Sequence, residues 1–564
     1  MMNKKLRSHQ WQLNQVIDGI INRHPKYAGV KRIILSVVPG GGKGSVPVNA
    51  GKLIKAGLAD RICCIVPRKS LQTQCEEVCM DTFFQQLFET KISLRASTND
   101  WNPCRGLHGF VTTYQALGHD KNGFVVDAVK ERRTIVILDE FHHVEEDSPW
   151  HRAVAEIIEA ATFVIMMSGT LSRANKKKIA IVEYRNGYVD LSGDDKTRVI
   201  RYSRTDALRE QAVLPIIFHL HDGSFEWKEF DKERVHSVDS FKDVKKTDRA
   251  SALFTALQTE FADQLIDQSL AHWLETKKNQ PGAKILFVCA RIGDAKRCIE
   301  HLKGLGIPAL LATSHESDVC TKNIAAFKGK APVLVTIAVA YEGLDVPPIS
   351  HVCVLTRIRS AEWLEQCVSR ATRWDRVGGM YRDQQAHIFA PRDQAFMEFV
   401  GIIEKEQVTR AFPVEKREEQ LDLFLLPDGE SGGGGAQRGP CIPLRSEILA
   451  LSKKILGGNE SSPWEPIVNT PKQEEHLIRR DIDRYLKRYA RQNGYEIQQV
   501  NKDVKARISK TPRAEMTMPE LKHLFTKIQD MYPMDSGSLI LVSHCPPVPA
   551  MEQRPFSLTE QKFF

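Results

Sequence analysis

Asp139 and Glu140 are adjacent carboxylates at the end of Thr134-Ile135-Val136-Ile137-Leu138, a run of β-branched and apolar residues. Such runs read as buried strands of a parallel sheet. Ligands in such sheets bind just beyond the carboxyl ends of the strands. Paired carboxylates at that place suit nucleotide hydrolysis, with Asp139 holding Mg2+ and Glu140 polarising the attacking water. A strand ending in a solvated acidic turn would be spelled the same way. An earlier segment argues against that plainer reading. Val38-Pro39-Gly40-Gly41-Gly42-Lys43-Gly44-Ser45 follows the apolar run Ile33–Val38 and precedes a helix expected over 46–58. Strand, glycine loop and helix form the setting of a phosphate-binding loop. Glycines let backbone N–H groups turn inward around phosphate oxygens, and the helix N-terminus adds its partial positive charge. Gly40, Gly41, Gly42 and Gly44 would form the cradle, and Lys43 would reach the β- and γ-phosphates.

One departure stands out. The pattern GK[ST] places a hydroxyl directly after the lysine, where it ligates Mg2+. Here that position is Gly44, and the hydroxyl, Ser45, comes one residue late. Either Ser45 substitutes through a shifted turn, or water does, or catalysis is weakened.

With these residues in place the chain resembles a superfamily 2 helicase or translocase of the DExH kind, with a restriction-enzyme-like flavour. Eight segments follow the family's motif order over about residues 6–400. Leu6-Arg7-Ser8-His9-Gln10 resembles the N-terminal glutamine motif, which implies that Gln10 reads adenine. Lys43 and its glycines match motif I. Ile65–Gln74 resembles motif Ia and implies that Arg68 touches the nucleic-acid backbone. Val111–Gln115 resembles the threonine-bearing motif, so that Thr112 and Thr113 are implied to contact nucleic acid. Asp139-Glu140-Phe141-His142 is the DExH box, with His142 in a coupling role. Ser168-Gly169-Thr170 stands for the Ser-Ala-Thr motif, which gives Ser168 and Thr170 the task of linking hydrolysis to movement. Glu342–Pro347 resembles motif V and implies nucleotide contacts from Gly343 and Asp345. Gln366–Arg373 resembles motif VI, whose arginines reach the γ-phosphate. In Val333–Ala338 the threonine of the preceding motif falls one place early, at Thr336, an implied nucleic-acid contact.

Motif VI also makes physical sense by itself. Gln366, Arg370 and Arg373 are spaced i, i+4 and i+7, which on a helix puts them on one face. An arginine pair from a second domain neutralises charge on the transferred phosphoryl group, and losing such a finger can cost on the order of a thousandfold. A solvated basic helix face has the same spacing, so the reading depends on the motifs that precede it.

Length, at 564 residues, allows roughly three or four domains. The net charge of +9 is mildly basic and fits a polyanionic partner. The N-terminal Lys4-Lys5-Leu6-Arg7 has no apolar core behind it, so no signal peptide is expected. No apolar stretch is long enough for a bilayer span, and a cytoplasmic protein is expected. The cysteines are scattered, several within apolar runs (Cys63, Cys64, Cys289, Cys353), where they act as small hydrophobes. Cys75 and Cys79 lie one helical turn apart without a second pair at finger spacing, so neither a zinc site nor a disulfide framework is expected.

Apolar strands at 33–38, 62–66, 109–112, 134–138 and 162–167 alternate with helical stretches. This predicts an α/β fold with a parallel sheet. The resemblance makes it the first of two tandem RecA-like domains, residues 1–190. Residues 191–250 break the rhythm and read as an inter-lobe extension or β-insertion, with a turn at Asp222-Gly223. A second RecA-like domain spans 251–415, with strands opening at Lys284, Pro308, Val333 and Val352. A glycine-rich flexible linker covers 416–440. Residues 441–564 read as a mostly helical accessory domain, in which Ile478, Ile482, Tyr485 and Tyr489 form an apolar stripe beside Arg480, Arg484, Lys487 and Arg491. That domain could bind DNA, dock a partner protein, or simply carry a solvated basic face.

Together these readings predict ATP hydrolysis between two lobes coupled to a nucleic acid, DNA rather than RNA, with ATP and Mg2+ as cofactors. Glu140, Gln366, Arg370 and Arg373 would be catalytic, and Asp139 with Ser45 would hold the metal. A double-strand translocase that never unwinds, or a nucleotide-gated scaffold with weak turnover, remains open.

Overall fold

In the computed structural model, described residues are 6–97, 99–144, 150–169, 181–182, 184–185, 188–189, 194–230, 234–313, 317–337, 344–408, 439–456, 471–509, 511–513 and 516–533. The first lobe contains β1 (Arg32–Val37), β2 (Arg61–Val66), β3 (Leu94–Ala96), β4 (Gly109–Thr113), β5 (Thr134–Asp139), β6 (Phe163–Ser168), a two-stranded ribbon of β7 (Tyr184–Arg185) and β8 (Tyr188–Val189), and β9 (Thr197–Tyr202). Seven of these strands form one parallel sheet in the order β3-β4-β2-β5-β6-β1-β9. Alternate residues of β1 face opposite sides. Ile33, Leu35 and Val37 pack against the helices Ser8–Ile21 and Val46–Lys55, while Ile34 joins the layer of Val125, Val129, Val154 and Ile157 on the other face. A sheet sandwiched by helices explains why its strands read as unbroken apolar runs.

The second lobe contains β10 (Ile216–Lys228), β11 (Val235–Val238), β12 (Lys284–Cys289), β13 (Leu310–Ala312), β14 (Val333–Thr336), β15 (Ile349–Leu355), β16 (Ala386–Pro391) and β17 (Ile442–Leu456). Their order is β11-β10-β16-β15-β12-β14-β13, with β17 along the free side of β10. From β10 through β13 the pairing is parallel, whereas β11 and β17 run antiparallel to β10. The fold is thus two tandem RecA-like parallel-sheet domains.

Three sequence expectations change. The segment 191–250 does not form a body of its own, because β9 extends the first sheet beside β1 and β10 enters the second beside β16. Asp222-Gly223 is not a turn. The strand β10 runs straight through, with an irregularity of register at that point. The glycine is needed there because a Cβ would sit 1.9 Å from the Glu447 carbonyl oxygen of β17, and such close backbone approach is a familiar use of glycine inside a strand. Finally, 442–456 is not part of a helical domain but a strand of the second sheet, paired to residues more than two hundred positions earlier. Neither periodicity nor composition reports a partner that distant.

The described residues from 471 to 533 belong to a separate compact unit. Its helices Pro471–Gln492, Ile497–Arg507 and Met518–Met531 enclose Ile482, Leu486, Val500, Val504, Leu521, Leu524 and Ile528. Ile478, Tyr485 and Tyr489 pack against that core, and Arg484, Lys487 and Arg491 are exposed. Most of the glycine-rich segment 416–440 lies outside the described residues.

Candidate active site

Strand order decides the site. β6 lies between β1 and β5, so the loops that leave these three neighbours emerge side by side, within about 10 Å across the sheet edge. The glycine loop follows β1, Asp139 ends β5 and Ser168 ends β6. In the loop, Gly40 has φ +81° and Gly42 φ +94°, a left-handed conformation that glycine adopts freely. At Gly42 a Cβ would also meet the Arg7 guanidinium at 2.7 Å. Lys43–Ser45 is a 3-10 turn leading into the helix Val46–Lys55. Arg7 Nη1 donates to Gly40 O (3.1 Å), and Gln10 Nε2 donates to Gly42 O (3.1 Å) and Ser45 Oγ (3.2 Å). The sequence reading missed Arg7, although it stands within the glutamine motif. The signal was a cation three residues before Gln10, on the same helical start.

The acids are tied to this loop. Lys43 Nζ forms an ion pair with Glu140 Oε1. Glu140 Oε2 accepts from Ser168 Oγ (3.2 Å) and from the Gly169 N–H (3.1 Å). His142 Nδ1 lies 2.8 Å from Ser168 Oγ and 3.4 Å from Glu140 Oε2. Glu140 sits at φ +46°, ψ +51°, an uncommon region for a residue with a side chain. Burial pushes the Asp139 carboxyl up to about 7, the Lys43 ammonium working against that shift and Glu140 adding to it. Burial acts on Glu140 in the same sense, but Lys43 and His142 outweigh it and hold this carboxyl at about 2. Two neighbouring carboxyls are therefore driven apart, a pattern typical of acid–base and metal sites. Asp139 and Ser45 offer a carboxylate and a hydroxyl, the hard oxygen donors that suit Mg2+. A buried carboxylate kept from ionising by its surroundings is a place that a divalent cation stabilises, so these residues fit the metal.

From the second lobe, Arg370 Nη1 donates to Leu344 O at 3.0 Å and Arg373 Nη1 to the same oxygen at 3.5 Å. Arg373 also pairs with Asp345, whose carboxylate accepts from Gln74 Nε2 of the first lobe at 3.4 Å. Burial pulls the Arg373 guanidinium down to about 10. The shared helix face expected for Gln366, Arg370 and Arg373 is corrected. The helix Ala361–Val368 carries the buried Gln366 but stops before both arginines. Ser369 Oγ donates back to Glu365 O and Thr372 Oγ1 to Ser369 O, a local competition that ends helices. A turn, not a helix face, brings the two guanidinia onto one carbonyl. The neighbouring Thr372 Oγ1 lies 3.8 Å from the Cβ position of Gly40, so motif VI rests against the phosphate loop. Leu214 N donates to Thr372 O (2.6 Å), and Arg204 Nη2 reaches Glu365 Oε1 (3.3 Å).

The threonines expected to touch nucleic acid are differently placed. Thr112 and Thr113 are buried, and the Thr113 hydroxyl caps the helix Tyr114–Gly118 by accepting from Ala116 N. Thr336 is buried too, its hydroxyl donating to Ala312 O and Ile337 O. Thr113 and Thr336 thus serve the ends of their strands, the Thr112 hydroxyl is buried with no hydrogen-bond partner among the described residues, and none of the three is exposed. Arg68 stands partly exposed just beyond β2, at the start of the helix Lys69–Met80. Thr170 and Gly343 lie outside the described residues.

Residues 3–173 match the family model described as the res subunit of type III restriction enzymes, and residues 263–375 match the helicase conserved C-terminal domain. The chain belongs to superfamily 2. As a superfamily 2 chain with a restriction-enzyme-like core, it is in class an ATP-dependent nucleic-acid motor. The protein Rv2917 of Mycobacterium tuberculosis is 23% identical over 427 residues, covering 73% of this chain and 68% of that one. ML1624 of Mycobacterium leprae is 22% identical, with 70% and 64% covered. Among solved structures, a fragment of an HsdR subunit from Vibrio vulnificus aligns with a TM-score of 0.46 at 16% identity, over 69% of this chain and 64% of that one. The type ISP restriction-modification enzyme LlaBIII bound to DNA aligns with a TM-score of 0.43 at 14% identity, over 68% and 28%. No helix among the described residues is long and apolar enough to cross a membrane.

Proposed function

We propose that this protein hydrolyses ATP between its two lobes to drive movement along DNA. The observation that carries this reading is the meeting of Lys43, Asp139 and Glu140 from the first lobe with the Arg370–Arg373 turn of the second, around one glycine loop. The preference for DNA rests on the match of residues 3–173 to a restriction-enzyme motor subunit.

In this mechanism the triphosphate displaces Glu140 as the counter-charge of Lys43. Asp139 and Ser45 would hold Mg2+, which would supply positive charge against the phosphate oxygens. Glu140, freed from Lys43 but still fixed by Ser168 Oγ and Gly169 N, accepts a proton from the attacking water. The water oxygen bonds to the γ-phosphorus as the bond to the β–γ bridging oxygen breaks, and ADP leaves with that oxygen. Arg370 and Arg373 leave the Leu344 carbonyl for the γ-phosphoryl oxygens, where charge is building. Gln10 keeps the loop and Ser45 in register. His142 and Ser168 share a hydrogen bond with each other and contact Glu140, so a change at the acid is felt at the end of β6. Hinge closure on ATP and reopening after hydrolysis would move the lobes along a strand.

The test is phosphate release by the purified protein with no polymer, single-stranded DNA, duplex DNA and RNA in parallel. DNA should stimulate and RNA should not, and the stimulated rate in Glu140→Gln should fall by at least about a hundredfold. Equal stimulation by RNA would remove the DNA assignment, and full activity in Glu140→Gln would remove the base. A second reading is favoured by Gly44 and by the engagement of Ser45 Oγ with Gln10. It is a nucleotide-gated scaffold that binds DNA when ATP is present and releases almost no phosphate.

A further inference from the structure

The second lobe holds a convergence of imidazoles that plays no part in the chemistry above. His219 is on β10, His387 on β16 and His272 on the helix Glu260–Asn279. One nitrogen from each lies within 4.8 Å of the others, and no other group of three or more potential ligands among the described residues converges in this way. His219 Nε2 and His387 Nδ1 are 3.1 Å apart. A tetrahedral ion with Zn–N bonds of about 2.0–2.1 Å sets its ligand nitrogens roughly 3.4 Å apart, so this pair stands close to coordination spacing.

A fourth histidine makes the arrangement directional. His351 Nδ1 lies 2.8 Å from Ser350 Oγ, which is itself 3.4 Å from Lys284 O. His351 Nε2 lies 2.8 Å from His272 Nδ1. When His272 Nδ1 donates in that contact, Nε2 of the same ring keeps its lone pair. Metal-binding histidines are oriented in this manner, by a hydrogen bond from the nitrogen that does not coordinate. His219 stacks on Phe389 at 4.3 Å between centroids, which fixes its ring plane.

We propose that His219, His272 and His387 form a binding site for a borderline divalent metal of the Zn2+ type, with its fourth position open to solvent. The open side is a pocket of about 290 Å³ lined by His272 and His387 together with Glu275, Thr276 and Asp383. Three imidazoles without a thiolate select Zn2+ and its neighbours in the transition series over Mg2+ or Ca2+. Lys453 of β17 is registered opposite His219, and its ammonium opposes a cation, so the site is weaker than an all-neutral one would be. A bound ion would tie β10 and β16 to the helix Glu260–Asn279.

The test uses the untagged full chain, stripped with a chelator and titrated with Co2+ and then Zn2+. The expected result is visible tetrahedral d–d absorption that saturates at one Co2+ per chain and is bleached by Zn2+. A rise of a few degrees in Tm should accompany saturation. His272→Gln, at a half-exposed position, and His387→Gln should abolish the absorption. His221→Gln, a neighbour whose Nε2 is engaged by Gln268, should keep it, and Lys453→Met should tighten binding several-fold. No saturable absorption in the wild-type chain, or absorption unchanged in His272→Gln, would overturn the proposal and leave the cluster as a hydrogen-bonded imidazole core.

Discussion

At the edge of the first sheet, β1, β6 and β5 end in the glycine loop, Ser168 and the Asp139-Glu140 pair. In the second lobe, the segment past β14 supplies Leu344 and Asp345, and the turn past the helix Ala361–Val368 supplies Arg370 and Arg373. Both lobes hold their reactive charges on partners of their own, but the partners differ. Lys43 and Glu140 are largely buried, at 14% and 12% side-chain exposure, and the proposed mechanism uses both. Arg373 faces a more exposed Asp345, at 45%, and a backbone carbonyl. A half-exposed carboxylate such as Asp345 shares its partner with water, which weakens its ion pair, whereas a buried pair is opened only by an equally good counter-charge. On the proposed mechanism, the first lobe is a clasp that a triphosphate replaces, and the second is a pair whose more exposed carboxylate yields its arginine to the γ-phosphate.

The sharpest way to break this distinction is to remove each cation. Arg370→Ala or Arg373→Ala should lower stimulated turnover on the order of a thousandfold, with nucleotide affinity altered only a few-fold. Lys43→Ala should abolish nucleotide binding itself. Equilibrium binding of a fluorescent ATP analogue beside steady-state hydrolysis separates the two. Equal losses of affinity in all three variants would show that the lobes do not divide binding from catalysis.

Much of this division was legible in the sequence because phosphate loops and acid pairs are local. Glycines before Lys43 and carboxylates after an apolar run carry their geometry within a few residues. The helix face expected for Arg370 and Arg373 was misplaced, since helical periodicity says nothing about Ser369 and Thr372 turning the chain early. The burial of Thr112, Thr113 and Thr336 was equally hidden, because a threonine is spelled alike whether it caps a strand end or faces a polymer. Pairings between distant segments left no local trace. These include β10 with β17, Lys43 with Glu140, and the histidines of β10, β15, β16 and the helix Glu260–Asn279.

A second, intermediate effect concerns pH. Asp139 must be ionised to hold Mg2+, and its carboxyl is raised to about 7 while that of Glu140 stays near 2. Affinity for the Mg2+–nucleotide should therefore rise about tenfold between pH 6 and pH 8, following one proton. The stability of the nucleotide-free protein should move the other way. A carboxyl raised on folding contributes stability that is complete below its unfolded pKa and is lost as pH rises through the folded value. The window is thus about pH 4 to 7, and Asp139→Asn should flatten both profiles. Calorimetric titration and thermal melts across this range measure them. A pH-independent affinity would place the metal on other groups.

The smallest effect probes the one irregular letter of the loop. Gly44 does not have a positive φ, and a Cβ there would touch only Val78 Cγ2, at 3.8 Å. The backbone therefore does not require glycine, and Gly44→Ser should fold without strain. It would place a hydroxyl directly after Lys43, beside the oxygen of Ser45 that Gln10 already engages. If Mg2+ is under-coordinated at this site, turnover should rise several-fold, with the polymer preference unchanged. The gain should vanish in Gly44→Ala, which adds bulk without a donor oxygen. An unchanged rate in Gly44→Ser would mean that Ser45 already serves the metal through the 3-10 turn at Lys43–Ser45. The first lobe would then be a complete clasp, and slow turnover, where found, would originate in the arginine turn of the second.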